Sequence, residues 1–352
     1  MKQSSNIRIK NLYYMLSYAF QRLQENGYKH IGTEEFENAA DLCAAILVNG
    51  LSIQIKQGLH RTYIHESEIL PTVRGSICVD PKSLFAFRTS HMVRCSFDEF
   101  SENNTLNQIV KTTLQILLKA DICTSRKDII RKILPFLQEV STIDLHSVNW
   151  NMHFNRNNRN YQLLIAICQL VFKGLLQTTA DGSTYLLDFL DEQRMCHLYE
   201  KFLLEYYRKH WGDKLKVGSP EIPWQLDDDN TFQLPKMQSD IVLSLGDDYL
   251  IIDAKYYGMN LYQNMGKTGI HSANLYQIFT YVKNKETEVS KKENPHSVSG
   301  LLLYAMTQGK VQPDADYSMS GNRISAKTLN LDAEWNDIRQ CLDGIVYRYF
   351  KL

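Results

Sequence analysis

Apolar residues recur along this chain at helical spacing, then at strand spacing, then at helical spacing again, and the switches between periods mark its elements. Residues 7 to 25 place Leu12, Tyr13, Leu16, Ala19, Phe20 and Leu23 on one helical face. A second helix is predicted over about Glu35 to Asn49, with Ala39, Ala40, Leu42, Cys43, Ile46 and Leu47 inward and Gly50 as its stop. From Leu51 to about Phe97 the texture changes to short alternating segments: Leu51-Ser52-Ile53-Gln54-Ile55, Thr62-Tyr63-Ile64-His65 and Gly75-Ser76-Ile77-Cys78-Val79. Gly58, Pro71, Gly75 and Pro81 punctuate them, so about 51–97 reads as a small β-rich unit, closing with Val93 to Phe100. Ser101 or Asn104 then caps an amphipathic helix through Leu106, Ile109, Val110, Leu114, Leu117 and Leu118. Further helices are expected near 126–139 and 160–177.

Thr178-Thr179-Ala180-Asp181-Gly182-Ser183 reads as a linker, with a domain boundary around Thr178 to Leu190. The expected division is therefore 1–182, a helical N-terminal domain carrying the β-rich unit, and 183–352. In the second part a helix over Met195 to Tyr207 is followed by two strands, a helix over Ser272 to Lys283, a strand Gly300 to Ala305, a strand Ile324 to Leu331 and a helix Ala333 to Tyr349. That order predicts a mixed α/β (α+β) core.

Within that core, Ser239 to Tyr257 reads as two apolar strands joined by a tight turn at Gly246-Asp247-Asp248. Asp253 and Lys255 interrupt the second strand, and period-2 alternation puts both on one face. A two-residue loop, Gly246-Asp247 or Asp247-Asp248, brings Asp240 opposite Asp253 or Lys255 on that face; a three-residue loop turns it away. Glycine at the first central position favours the two-residue type II′ turn. Two carboxylates at such distance repel unless a cation lies between them, and a hard divalent ion with oxygen ligands suits them. A lysine beside that ion positions a water or stabilises charge developing on phosphorus. For an isolated Asp-x-Lys, an ordinary ion pair at a strand end is the commoner arrangement. The upstream Asp240, its register and the apolar strand between them distinguish this case.

Composition narrows the class of protein. With 352 residues, 44% hydrophobic and 22% charged, the chain suits a globular protein of two domains. No apolar run approaches a membrane span and no signal-peptide core opens the sequence, which places its expected location in the cytoplasm. Seven cysteines, at 43, 78, 95, 123, 168, 196 and 341, form no CxxC pair and read as small core residues. Lys plus Arg balances Asp plus Glu at 39 each, which is not the footprint of a free-standing nucleic-acid binder. Gly266-Lys267-Thr268 resembles the end of a P-loop, but Leu261 stands where the first glycine is needed, so nucleotide binding is not expected here. His60, His65 and His91 read as structural or exposed. Arg61, Arg74, Arg88 and Arg94 are candidates to meet an acidic surface or DNA. Asn155 to Asn160, with Arg156 and Arg159, reads as a solvated polar loop.

The C-terminal half resembles a PD-(D/E)xK nuclease core, with the spacing Asp240-x12-Asp253-x-Lys255. Gln277 and Tyr281, four apart on one helical face, are similar to the Gln-xxx-Tyr feature of RecB-like nucleases. More of the chain is involved in a second likeness. Asn11 to Leu16, Phe97 to Asn103, Asp253-Ala254-Lys255-Tyr256-Tyr257, Met265-Gly266 and His271 to Gln277 together resemble the McrC family, across essentially the whole length. That resemblance implies a nuclease subunit of a modification-dependent restriction system. Its implied partners are a McrB-like AAA+ GTPase ring, which binds GTP itself, and methylated double-stranded DNA. It implies Asp240 and Asp253 as Mg²⁺ ligands, Lys255 as the residue orienting the attacking water, and docking of the N-terminal domain on the ring. A first-helix glutamate is also implied: Glu200 fits the position better, with Glu205 the competitor about 140° around the helix. Ser239 replaces the proline of the superfamily's name.

The expected activity is thus Mg²⁺-dependent endonucleolytic cleavage of DNA together with stimulation of a GTPase partner. The alternative is a non-catalytic adaptor that activates an AAA+ ring on a nuclease-like fold. A third reading, a stand-alone structure-specific nuclease, fits the balanced charge less well.

Overall fold

The computed structural model describes residues 7–20, 23, 28–34, 36, 38–79, 81, 88–89, 91–175, 192–228, 230–257, 261–264, 267–292, 294–306 and 311–352. Two units separate by their internal contacts: residues 1–39 together with 187–352, and residues 40–186. The expected boundary within 178–190 lies outside the described residues. The expected grouping of 1–182 does not hold, because the first helix, α1 (Ile9–Ala19), belongs with the C-terminal unit. In sequence, 40–186 is an insertion.

The inserted unit begins at α2 (Ala39–Gln57), which runs straight through Gly50, so the expected stop and the expected strand at 51–55 are both overturned. Leu47, Leu51 and Gln54 are buried one helical turn apart, and Ser52 Oγ donates to the Val48 carbonyl. A glycine inside a helix costs about 1 kcal/mol, less than this burial returns. Gly58, at φ +93°, is where the chain leaves the helix. At 19 residues α2 is also apolar enough by length and composition to cross a membrane, contrary to expectation. With 72% of its apolar window buried, it forms the core of this unit.

Strands β1 (Thr62–Leu70), β2 (Ser76–Ile77) and β3 (Val93–Ser101) form an antiparallel sheet in the order β1-β3-β2. Asn104, not Ser101, caps α3 (Thr105–Lys119), its side chain accepting the Asn107 N–H at 3.2 Å. A short helix α4 (Thr124–Ile133) tightens to a 3₁₀ turn at Leu134–Leu137, where Pro135 lacks an N–H, and α5 (Tyr161–Leu175) completes the unit. Asn107 ties sheet to helices: it accepts from Tyr161 Oη at 2.6 Å and donates to the carbonyls of His60 and Glu102.

The second unit is built on α6 (Glu192–Trp211) and a six-stranded mixed sheet. Its strands are β4 (Lys216–Gly218), β7 (Ile241–Leu245), β8 (Asp248–Lys255), β11 (Ser297–Ala305), β12 (Ala315–Met319) and β13 (Asn322–Leu329), in the order β12-β13-β11-β8-β7-β4. β8, β11 and β13 run parallel, and the flanking strands are antiparallel. A two-stranded ribbon of β5 (Glu221–Ile222) and β6 (Met237–Gln238) precedes β7, and a hairpin of β9 (Leu261–Asn264) and β10 (Lys267–Ile270) precedes α7 (Ser272–Ser290). Lys267 and Thr268 thus sit in a strand, which no phosphate-binding loop would allow.

Helix α7 covers one sheet face through Ile278, Tyr281 and Val282, against Val242, Ile251, Leu302 and Ile324. Gly300 lets it lie close, since a Cβ there would stand 2.7 Å from Ile278 Cγ1 and 2.8 Å from Val282 Cγ2. Strand alternation turns Ser325 to the opposite face, where its Oγ accepts from Tyr349 of the last helix, α8 (Trp335–Phe350), at 2.7 Å. Helices α6 and α8 are joined by Tyr206 and Trp211, both donating to Asp343. Against these packs α1: Tyr14 stacks on Trp335 at 4.5 Å, and Tyr18 meets Phe202 and Tyr206 and bonds His210 at 2.7 Å. Asn11, buried, donates to the carbonyls of Leu331 and Ala333.

Candidate functional site

The β7–β8 hairpin fixes the site. Leu245 pairs with Asp248 and Ile241 with Ile252, so the loop is the two residues Gly246-Asp247 and the next position places Asp240 beside Asp253. Gly246 has φ +60° while Asp247 keeps a negative φ, as a type II′ turn requires. Of the two loops left open by the sequence, this one sets the two aspartates, rather than Asp240 and Lys255, across from each other.

Asp240 Oδ2 accepts the backbone N–H of Ala254 at 2.8 Å, which holds its carboxylate against the end of β8. Asp253 is 1% exposed. Lys255 Nζ stands 2.6 Å from Asp253 Oδ2, a charge contact that does not meet hydrogen-bond geometry, and this buried oxygen has no hydrogen-bond partner. From Lys255 a one-way chain of donors runs outward. Nζ donates to Gln277 Oε1 at 3.0 Å, Gln277 Nε2 to Tyr281 Oη at 3.0 Å, and Tyr281 Oη to the Gln238 carbonyl at 3.1 Å. Gln277 and Tyr281, one turn apart on α7, therefore fix the ammonium from the helix side, while the ribbon strand that leads to Asp240 closes the chain.

Glu200 of α6 adds negative charge to both aspartates. Its Oε1 accepts from the Cys196 thiol at 3.0 Å and its Oε2 lies 3.2 Å from His197 Nδ1. Glu205 instead pairs with Arg208 at 2.6 Å, and of the two glutamates it is Glu200 whose charge reaches the aspartates.

The electrostatics are those of a crowded acidic pocket. Burial, then the charges of Asp253 and Glu200, push the Asp240 carboxyl up to about 7, against the opposing Ala254 N–H and Lys255. Burial raises Asp253 as well, although Lys255 opposes it. Burial works against the Lys255 ammonium, but the neighbouring Asp253 carboxylate outweighs it and the lysine is held above its ordinary value. Lys255 is thus a fixed cation rather than a neutral base.

A hard divalent cation fits this donor set. The unsatisfied Asp253 Oδ2 and the like-charged Asp240 and Asp253 both gain from positive charge placed between them. Among the described residues no group of three or more His, Cys, Asp or Glu side chains is arranged to hold a metal unaided. Mg²⁺ is a cation of this kind, using one or two carboxylates together with water and substrate phosphate.

The ribbon carbonyl of Gln238 and the Cys196 thiol were not among the expected site residues. A backbone carbonyl leaves no sequence signal, whereas Cys196 stands one helical turn before Glu200 and was legible by spacing. In the inserted unit, one of the singled-out histidines and three of the arginines are locally engaged. His65 lies between Asp98 and Ser96, Arg61 pairs with Glu102, Arg74 covers the Phe97 ring, and Arg94 reaches Ser67. Asn155 caps its own loop through the N–H groups of Asn157 and Asn158.

A family model described as McrBC 5-methylcytosine restriction system component matches residues 1–305. The type IV methyl-directed restriction enzyme EcoKMcrBC of Escherichia coli (strain K12) is 31% identical over 352 residues, covering 98% of this chain and 99% of that protein. Among solved structures, a refined half-complex from a tetradecameric assembly of Thermococcus gammatolerans McrB AAA+ hexamers with bound McrC gives a TM-score of 0.49 at 15% identity. It covers 93% of this chain and 75% of that one. The cryo-EM structure of the Thermococcus gammatolerans McrBC complex gives 0.42 at 18% identity, covering 56% of each chain.

Proposed function

The chain belongs to the McrBC family of 5-methylcytosine restriction system components, and from that premise we propose that it is the subunit that cuts the DNA. Its C-terminal unit is read as a PD-(D/E)xK nuclease core, with Mg²⁺ as cofactor and methylated double-stranded DNA as substrate. The observation that carries this reading is the hairpin register that sets Asp240 beside Asp253, with an unsatisfied buried oxygen and a fixed lysine at the same point.

Asp240 and Asp253 would hold the divalent ion, which when bound lowers the pKa of a water and takes up charge on the scissile phosphate. The remaining work falls to the chain. Ala254 N–H keeps one Asp240 oxygen turned to the strand, leaving the other for the ion. Lys255, charged and held by Gln277, offers N–H donors to the attacking water and to the phosphate oxygens as negative charge grows on them. Gln277 and Tyr281 keep the ammonium from swinging toward solvent, so no reorganisation is needed as the reaction proceeds.

The partner in this reading is a McrB-like AAA+ GTPase ring, which the chain stimulates and which supplies GTP hydrolysis and recognition of the methylated base. The balanced charge of 39 against 39 agrees with a nuclease delivered to DNA by another protein. The inserted unit is the proposed docking element. The test is cleavage of methylated DNA by the purified chain with and without its ring partner. Cutting should need GTP, Mg²⁺ and the ring together. Asp253→Ala should abolish cutting while GTPase stimulation persists; wild-type cutting by this variant removes the site assignment, and an uncut substrate with the wild-type chain leaves the adaptor reading in its place.

A further inference from the structure

The charge of Glu200 reaches both aspartates of this site, and like charges tend to drive the most mobile of them away. Asp240 is tied to the Ala254 N–H and Asp253 is walled in by β8 and Lys255. Glu200 projects from a helix on a flexible side chain that is 27% exposed, and no lysine or arginine is paired with it among the described residues. Among the described residues two groups are bonded to it. His197 is 71% exposed at the side chain, where solvent screens the contact. Cys196 is the other: its Sγ lies 3.0 Å from Glu200 Oε1 and also accepts a hydrogen bond from the backbone at Tyr256, the residue after Lys255.

We infer that Cys196 is a positioning residue of the metal site, its thiol bridging the end of β8 and Glu200 so that the glutamate stays beside Asp240 and Asp253. The helix makes the pairing possible, because residues four apart lie one above the other on the same face. The choice of donor has a chemical reason. A lysine or arginine in this place would neutralise Glu200 and compete with the cation for the pocket. A thiol holds the carboxylate by a hydrogen bond and leaves its charge intact. The geometry is that of a donor, with Sγ aimed at Glu200 Oε1 at 3.0 Å. Supporting groups of this kind around metal ligands commonly change metal affinity by about 10–100-fold when removed.

The inference rests on the proposed metal-dependent nuclease reading, and the test separates the two. Mn²⁺ binding to the full-length chain without DNA is titrated by electron paramagnetic resonance for wild type, Cys196→Val, Cys196→Ser, Glu200→Gln, Asp253→Ala and the double variant Cys196→Val with Glu200→Gln. Cys196→Val should weaken Mn²⁺ binding about tenfold. Cys196→Ser, which keeps an O–H donor, should retain most of the affinity. In the Glu200→Gln background the valine should cost nothing further, since Cys196 acts through Glu200. Wild-type Mn²⁺ affinity in Cys196→Val, with binding lost in Asp253→Ala, overturns the positioning role alone. Additive losses in the double variant overturn it as well. Unchanged binding in Asp253→Ala removes the nuclease reading, and the role of Cys196 with it. Thermal melts of the same proteins exclude unfolding as the cause, and the serine variant carries the comparison should the valine variant fail to fold.

Discussion

Replacing Asp240 with asparagine should make the metal-free protein more stable while ending cleavage. The side chain keeps its shape, its carbonyl oxygen still accepts the Ala254 N–H, and its new amide can donate to Asp253. What disappears is a charge held among Asp253, Glu200 and buried strand. The folded protein raises the Asp240 carboxyl from 3.8 to about 7, so between those values it binds a proton that the unfolded chain releases. Stability from this group is full below about pH 4, declines as pH rises toward 7, and is flat above. A shift of that size corresponds to at most about 4 kcal/mol, and sharing of the proton with Asp253 reduces the expected gain at pH 8 to about 2 kcal/mol. For a unit of roughly 200 residues this raises Tm by about 4–8 °C. The assay is thermal or urea unfolding in chelator at pH 5 and pH 8, wild type against variant. The difference at pH 5 should be about two-fifths of that at pH 8. A variant that melts below wild type at pH 8, or a gap equal at both pH values, refutes the electrostatic account of the site.

Other changes follow from the same contacts. Lys255→Met leaves Asp253 buried without its counter-charge and should cost about 3 kcal/mol at pH 8 by urea unfolding, and less at pH 5, where the carboxylate can take a proton. Gly300→Ala drives a methyl into Ile278 and Val282, so it should cost about 1–3 kcal/mol in thermal unfolding and slow cleavage through the displacement of Gln277. Tyr18→Ala removes a ring that touches Phe202, Tyr206, His210 and Trp335; calorimetry should show about 3–5 kcal/mol lost from the C-terminal unit, far along the chain from the substitution.

Much of the candidate site was legible because it is written in local chemistry. A glycine at the first turn position and β-branched alternation on either side determine which residues face each other, and the helix period brings Gln277 and Tyr281 to one side. Other parts were not local. Gly50 reads as a helix stop by propensity, but burial of Leu51 and Gln54 outweighs about 1 kcal/mol of glycine cost. The short strands β4, β5, β6, β9 and β10 are two to four residues long, too few to show a period. Glu200 fits the helix position better than Glu205 by sequence, and the pairing of Glu205 with Arg208, which separates them further, carries no sequence signal of its own. The placement of α1 left no mark at all, because its partners Phe202, Tyr206 and Trp335 lie far downstream and aromatic contacts carry no spacing rule.

The long reach of α1 has a kinetic side. Asn11 bonds to carbonyls 320 and 322 residues further on, and closing so long a loop comes late in folding. During synthesis residues 40–186 emerge complete and can fold as they leave the ribosome, since domains generally fold as units from the N-terminal side. In the unit carrying Asp240 and Asp253, α1 can meet α6 once Phe202 and Tyr206 are made, but its contacts with Leu331, Ala333 and Trp335 wait for the end of the chain. A chain interrupted between residue 187 and Trp335 therefore carries the whole of residues 40–186 and a second unit whose first helix lacks its last partners, so that under the proposed nuclease reading the centre that would cut DNA is completed last.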